Sequence, residues 1–136
     1  MDTQGTAEAF VRALDTEDFD ATEAILAPSC VYQFRGAETL GGAKIVASYR
    51  AAAEWASESF DRIRYESSLQ QETPTRFRVR FIDLTEHGGR SHRHECEQVF
   101  TVDADGRIDS IEHIDLPGER ERLRAFLDGV GVKPRS

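Results

Sequence analysis

His92, His94 and Cys96 stand at alternate positions in "RSHRHECEQVF", residues 90–100. Imidazoles and thiols hold metals and carry protons, so this spacing poses a chemical question. On a strand, alternate residues face the same way. Zinc uses such ligands, but three along one strand span roughly 13 Å at the strand rise. One ion could hold two of them and would need a third ligand elsewhere, such as Asp83. No recognised metal-ligand spacing accompanies the three, so neither a metal nor a cofactor is expected. Cys96 reads better as a buried, inert thiol than as a nucleophile.

The sequence before this stretch suggests what faces it. "TRFRVRFIDLTE" (75–86) alternates Phe77, Val79, Phe81 and Asp83 against Arg76, Arg78 and Arg80. That is the period of a half-buried antiparallel strand. "HGG" (87–89) reads as a tight hairpin turn between the two segments. A tight turn there sets Phe81 opposite Cys96, Asp83 opposite His94 and Thr85 opposite His92. On the other face it sets Arg80 opposite Glu97. Opposite charges then meet on one face and Phe81 meets Cys96 on the other, which supports this register. Asp83 beside His94 is an arrangement that orients an imidazole and raises its basicity. The plainer alternative is a polar cross-strand pair that satisfies two half-buried groups.

The face shared by these residues continues through Gln98 and Phe100, apolar at one end and polar toward "HGG". It suggests a cavity with an apolar floor and a polar wall. Tyr32, Phe34, Tyr49, Trp55, Tyr65, Phe81, Cys96 and Gln98 are its candidate ligand-contacting side chains. The last strand, "RIDSIEHID" (107–115), is ambiguous. "DADG" (103–106) is a hairpin signal. A glycine bulge there turns Ile108, Ser110, Glu112 and Ile114 inward, and is preferred because it brings Ile108 and Ile114 to the core. Glu112 then joins the candidate site. Without the bulge, Ile111, His113 and Asp115 face inward.

Further elements position this face. "TAEAFVRAL" (6–14) puts Ala7, Phe10, Val11 and Leu14 on one helical face. "ATEAILA" (21–27) predicts a short helix with Asp20 as N-cap and Glu23 completing a capping box. "CVYQFR" (30–35) predicts a strand, "GAETLGG" (36–42) a loop, and residues 42–58 the longest helix. "DRIRYESSLQ" (61–70) alternates as another strand. Pro117 opens a closing helix, which Gly129 ends. The order is helix, helix, strand, helix, four strands, short helix. Helices segregated from an antiparallel sheet give an α+β fold.

The chain has 136 residues and fits one domain across 1–136, with a core at about 6–116, the closing helix at about 117–128 and a tail at 129–136. Net charge is −8, which disfavours nucleic acid and anionic membrane surfaces. Two cysteines in a chain this long make no disulfide scaffold. The N-terminal residues are acidic and lack an apolar run, so no signal peptide is expected. A reduced, cytoplasmic setting follows. Arg62, Arg64, Arg76, Arg78 and Arg80, with Glu66, Glu95 and Glu97, make a charged outer face. It is either solvated or buried in a homodimer, with Val99 and Ile111 as apolar anchors; the dimer is preferred.

Together "AFVRALDTEDFDATEAILAPSCVYQF" (9–34), "GGAKIVASY" (41–49) and "FTVDADGRIDSIEHID" (100–115) resemble the nuclear transport factor 2-like superfamily. Within it they are closest in pattern to the SnoaL-like polyketide cyclase and ketosteroid isomerase group. The resemblance implies a cone, in which a strongly curved sheet wraps its helices around an apolar pocket, and often a dimer. It implies small apolar ligands and cofactor-free acid/base chemistry, or binding alone. The isomerases carry a general-base Asp at the end of the first strand, where this chain reads "VYQFRG". They carry a Tyr on the first helix, where Phe10 and Leu14 stand here. The expected catalytic pair is therefore His94 with Asp83, and Tyr65 or Tyr32 would donate hydrogen bonds.

Overall fold

In the computed structural model, which describes residues 2–135, the expected elements form with a few shifts. They are α1 (Thr3–Asp15), α2 (Phe19–Ile25), β1 (Leu26–Phe34), β2 (Ala37–Leu40), α3 (Gly42–Ser59), β3 (Arg62–Gln71), β4 (Arg76–His87), β5 (Arg90–Val102), β6 (Ile108–Asp115) and α4 (Glu119–Val130). One six-stranded sheet runs in the order β2-β1-β6-β5-β4-β3. It is mixed, because β1 pairs parallel with β6 while the other pairs are antiparallel.

Four local expectations are corrected. Asp18, not Asp20, caps α2, its carboxylate accepting from Ala21 N at 3.2 Å. The segment read as a loop holds β2, which pairs with β1 from Val31↔Leu40 to Phe34↔Ala37. Four residues are too few for a clear period, so sequence alone missed it. Strand β1 begins at Leu26, before Pro28, because β6 supplies a partner there. Helix α4 passes through Gly129 and ends at Gly131, which adopts φ 75 and closes the helix in the left-handed conformation that glycine tolerates.

The main core lies between the sheet and helices α1–α3. Phe10, Phe77, Phe100, Ile45, Ile108 and Ile111 are its largest fully buried side chains. Each contributes about 1.5–3 kcal/mol by leaving water. A second apolar cluster forms where α4 meets the end of α3, from Ala56, Phe60, Phe126 and Leu127 with Trp55 against them. The polar residues of the sheet's inner face lie between these two clusters. No helix of the described residues is long and apolar enough to cross a membrane.

The β4–β5 register is the expected one: Phe81↔Cys96, Asp83↔His94, Thr85↔His92 and Arg80↔Glu97. Gly88 and Gly89 both take positive φ (58 and 78), as a two-residue turn of the hand that suits twisted strands requires. The last hairpin also carries a bulge, but with the opposite consequence. It falls inside β6 at Asp109, between the pairs Val102↔Ile108 and Thr101↔Ser110. Thr101 bonds to both Asp109 and Ser110 and holds it there. Ile108 therefore faces inward, and after the extra residue so do Ile111, His113 and Asp115. Glu112 pairs with Val99 on the outer face and is exposed. It does not join the site, and Ile111, 1% exposed in the core, is no interface anchor.

Candidate active site

The inner face reads as a grid across adjacent strands. One row holds Leu69, Val79, Gln98 and His113, and the next Ser67, Phe81, Cys96 and Asp115. A third holds Tyr65, Asp83 and His94, and a fourth Ile63, Thr85 and His92. Each row mixes apolar and polar side chains, and Ile63 in the fourth packs against the second apolar cluster, so the face does not pass simply from apolar to polar as the alternation suggests.

The first two rows carry a continuous polar chain. Tyr49 on α3 donates to Gln98 Oε1 at 2.7 Å. The Gln98 amide nitrogen donates to Tyr32 Oη at 3.3 Å and lies 3.4 Å from His113 Nδ1. His113 Nε2 meets Asp115 Oδ1 at 3.1 Å. Arg35 closes the chain, bonding Asp115 through Nε and Nη2 at 2.7 and 2.9 Å. Phe34 packs on His113, with ring centroids 4.7 Å apart, and Arg35 lies over Phe34. Gln98 is 4% exposed, so its amide is a buried junction with each polar atom partnered.

The Arg35 bonds, helped by His113 and opposed by burial, hold the Asp115 carboxyl down at about 2. Asp83 shows the opposite behaviour. Burial, and then the negative charge of Asp15, push its carboxyl up to about 6. Cys96 lies between the two acids in the grid. Burial, with Asp83 and Asp115 next, pushes its thiol up to about 12. It is a thiol at neutral pH and no nucleophile.

Asp83 and His94 are register partners, yet no hydrogen bond or ion pair joins them among the described residues. His94 Nδ1 is buried and without a hydrogen-bond partner, as is His92 Nε2. The carboxylates that act on His94 are Glu119 and Asp115, and burial outweighs both, lowering its pKa below the usual value. The expected dyad is therefore not made. Register fixes which backbones face each other, but rotamers decide whether side chains meet. Tyr65 stands opposite Asp83, and burial, then Asp83 and Glu17, raise its phenol. His92 stacks on Phe126 at 5.0 Å. Trp55 belongs to the second cluster, edge-on to Phe60 and donating to Lys133 O at 3.3 Å. Among the described residues no group of three or more His, Cys, Asp or Glu is arranged to hold a metal ion.

Three residues of the polar chain escaped the preferred reading of the sequence: His113, Asp115 and Arg35. The signal for the first two was present. Ile108 and Ile111, both apolar and three apart, can share a strand face only if an extra residue lies between them. Arg35 carried no such mark; it reaches Asp115 because β1 and β6 run side by side.

Residues 7–111 match the profile of the SnoaL-like domain family. Solved structures show the same fold. A candidate polyketide cyclase of Xanthomonas campestris pv. campestris superposes with a TM-score of 0.68 at 17% identity, over 94% of this chain and 96% of that one. An LEH-like epoxide hydrolase of Mycobacterium tuberculosis gives 0.66 at 24% identity, over 95% and 89%. Another protein of that organism, in complex with estradiol-17beta-hemisuccinate, gives 0.63 at 12% identity, over 88% and 98%. No protein of curated function matches the sequence.

Proposed function

This chain belongs to the SnoaL-like domain family, and on that premise we propose that its inner face performs cofactor-free acid/base chemistry on a small, largely apolar molecule bearing a reactive oxygen. The observation that supports this most is the divergence of two carboxyls on one face, Asp83 up to about 6 and Asp115 down to about 2. Environments that drive two acids apart assign them different roles. Near neutral pH Asp83 exchanges its proton readily. It can give it to an oxygen as a C–O bond breaks, or take one from carbon beside a carbonyl. Asp115, bound by Arg35, stays an anion; with His113 and Gln98 it forms a rigid wall. His94, its pKa lowered by burial, remains neutral at pH 7. Tyr65, opposite Asp83, and Tyr32, beside Gln98, add phenol hydroxyls to this face. Phe81, Phe34 and Tyr49 supply apolar contact.

The test is a screen of small epoxides for diol formation and of small ketones for α-proton exchange in deuterated water. Turnover of one class, lost by about 100-fold or more in Asp83→Asn, supports the reading. Turnover unchanged in that variant removes Asp83 from the chemistry.

A second reading is a non-catalytic domain that binds through its outer face. Two open hollows of about 650 and 420 Å³ lie chiefly on that side, the second including Val31, Gln33, Val99 and Glu112. A homodimer formed there would bury an Arg–Glu lattice whose charges are already paired, Arg78 and Arg80 both on Glu97. Light scattering at micromolar concentration separates dimer from monomer.

A further inference from the structure

The polar chain of the inner face has a direction, because each group in it fixes the proton of the next. Arg35 has donors only, and it bonds both oxygens of Asp115 at 2.7 and 2.9 Å. Asp115 is therefore an anion that only accepts. His113 is neutral at pH 7, because burial, opposed by the bond to Asp115, lowers its pKa. A neutral imidazole has one N–H. Asp115 takes it from Nε2 at 3.1 Å, which leaves Nδ1 as an acceptor. Gln98 must then turn its amide nitrogen toward Nδ1, 3.4 Å away. The second N–H of that nitrogen goes to Tyr32 Oη at 3.3 Å, and the amide oxygen receives the Tyr49 proton at 2.7 Å. Tyr32 has thus accepted a hydrogen bond and still owns its proton. No acceptor for that proton stands among the described residues. Tyr32 pairs with Ile111 on β6, so it faces inward. Phe34 and Tyr49, whose rings lie 6.1 and 5.6 Å from its own, are only half-buried, as are Phe81 and Cys96. The inner face is therefore open to solvent at these rows.

We propose that Tyr32 is the hydrogen-bond donor that recognises the oxygen of the ligand, and that Arg35, Asp115, His113 and Gln98 are positioning residues that set its polarity. A network that served only to satisfy buried groups would place every proton, whereas this one keeps one at the inner face. Accepting from Gln98 strengthens Tyr32 as a donor, since hydrogen bonds in a chain polarise one another. Tyr49 cannot take this role, because its proton is committed to Gln98. The chain therefore selects an oxygen that only accepts, such as a ketone carbonyl or an epoxide ether, over an alcohol or an amine that must also donate. This deepens the reading of the inner face as a site for a molecule bearing a reactive oxygen, and rests on it.

The experiment has two parts. Long-range nitrogen-15 NMR of the His113 ring at pH 7 reads its tautomer. The N–H is expected at Nε2; an N–H at Nδ1 reverses Gln98 and overturns the proposal. Titration with cyclohexanone, labelled with carbon-13 at its carbonyl, then reads binding and hydrogen bonding together in wild type, Tyr32→Phe and Gln98→Glu. Wild type should bind the ketone saturably, with the carbonyl resonance moved downfield. In Tyr32→Phe the affinity should fall about tenfold and the downfield movement should vanish. Gln98→Glu keeps the phenol but sets acceptors where the amide donated. The Tyr32 proton is then drawn back, and the downfield movement should vanish there too. A merely structural role of Gln98 would not change that resonance, and the variant keeps the test alive if Tyr32→Phe fails to fold. No saturable binding to wild type, binding with an unmoved resonance, or a downfield movement that persists in a folded variant overturns the proposal. The expected ketone binding with no turnover of epoxides or ketones would instead refute the proposed chemistry and leave the role of Tyr32 standing.

Discussion

Replacing Asp83 by Asn should make this protein more stable, and only above acid pH. Asn is nearly isosteric with a neutral carboxyl and cannot ionise. In the folded protein the Asp83 carboxyl titrates at about 6, against an ordinary value of 3.8. The folded state therefore binds this proton more tightly than the unfolded chain does. Below about pH 3.8 both states are protonated and Asp83 costs nothing. As pH rises toward 6 the unfolded chain releases its proton first, so wild type loses stability. Above 6 the loss is constant. A rise of about two pH units at 1.36 kcal/mol each sets a ceiling of about 3 kcal/mol. Asp83 is only half-buried, and water that reaches it lowers the expected gain to about 1–2 kcal/mol. Urea unfolding of wild type and Asp83→Asn at pH 4, 6 and 8 measures the difference directly. The gain should be under about 0.5 kcal/mol at pH 4 and reach its plateau by pH 8. A gain equal at all three values, or a loss at pH 8, would refute the assignment of a strained carboxyl. Stability recovered by removing a working group is the usual sign of a site that trades stability for activity.

Further expectations follow from the neighbouring residues. Asp115→Asn should cost stability at neutral pH, because its carboxyl is held below the ordinary value. That contribution is present above about pH 4, fades as pH falls through about 2, and amounts to about 1 kcal/mol once the exposure of Arg35 is allowed for; acid titration of wild type and variant by circular dichroism shows it as two curves that merge below pH 2. Gln98→Leu should be worse, at about 2–4 kcal/mol, since the Tyr49 hydroxyl and His113 Nδ1 would lose their shared partner inside the protein; urea midpoints at pH 7 read the loss. Proton NMR of the His94 ring should give a midpoint below 6.5 that Asp83→Asn does not lower. A raised midpoint that drops in the variant would restore the Asp83–His94 pair that the structure does not form.

The proposed chemistry on this inner face calls on proton transfer rather than nucleophilic attack. Cys96, between them, is surrounded by negative charge and buried surface, which keep it a thiol. The same surroundings keep Asp83 from ionising early. Burial thus keeps the Cys96 thiol protonated and raises the Asp83 carboxyl.

Much of the molecule was legible in the order of its residues. The strict alternation of Phe77, Val79, Phe81 and Asp83 required one face to be polar at one end. "HGG" then left a single register that matched charges and apolar groups, because a one-residue slip would have turned every side chain over. Those are local constraints, and local constraints can be read from sequence. What the sequence left open needed contacts between distant segments. Strand β2 exists because β1 offers it an edge. Arg35 and Asp115, eighty positions apart, meet because β1 and β6 run parallel. The bulge fell at Asp109 rather than at the turn because Thr101 bonds there, and that one step exchanged Glu112 for His113 and Asp115 at the site. Asp83 and His94 face each other as the pattern demanded, yet their side chains turn to different surroundings. Periodicity determined which face each residue belongs to. Only the packed structure decided which of those residues touch, since contact depends on rotamers and on strands that meet from far along the chain.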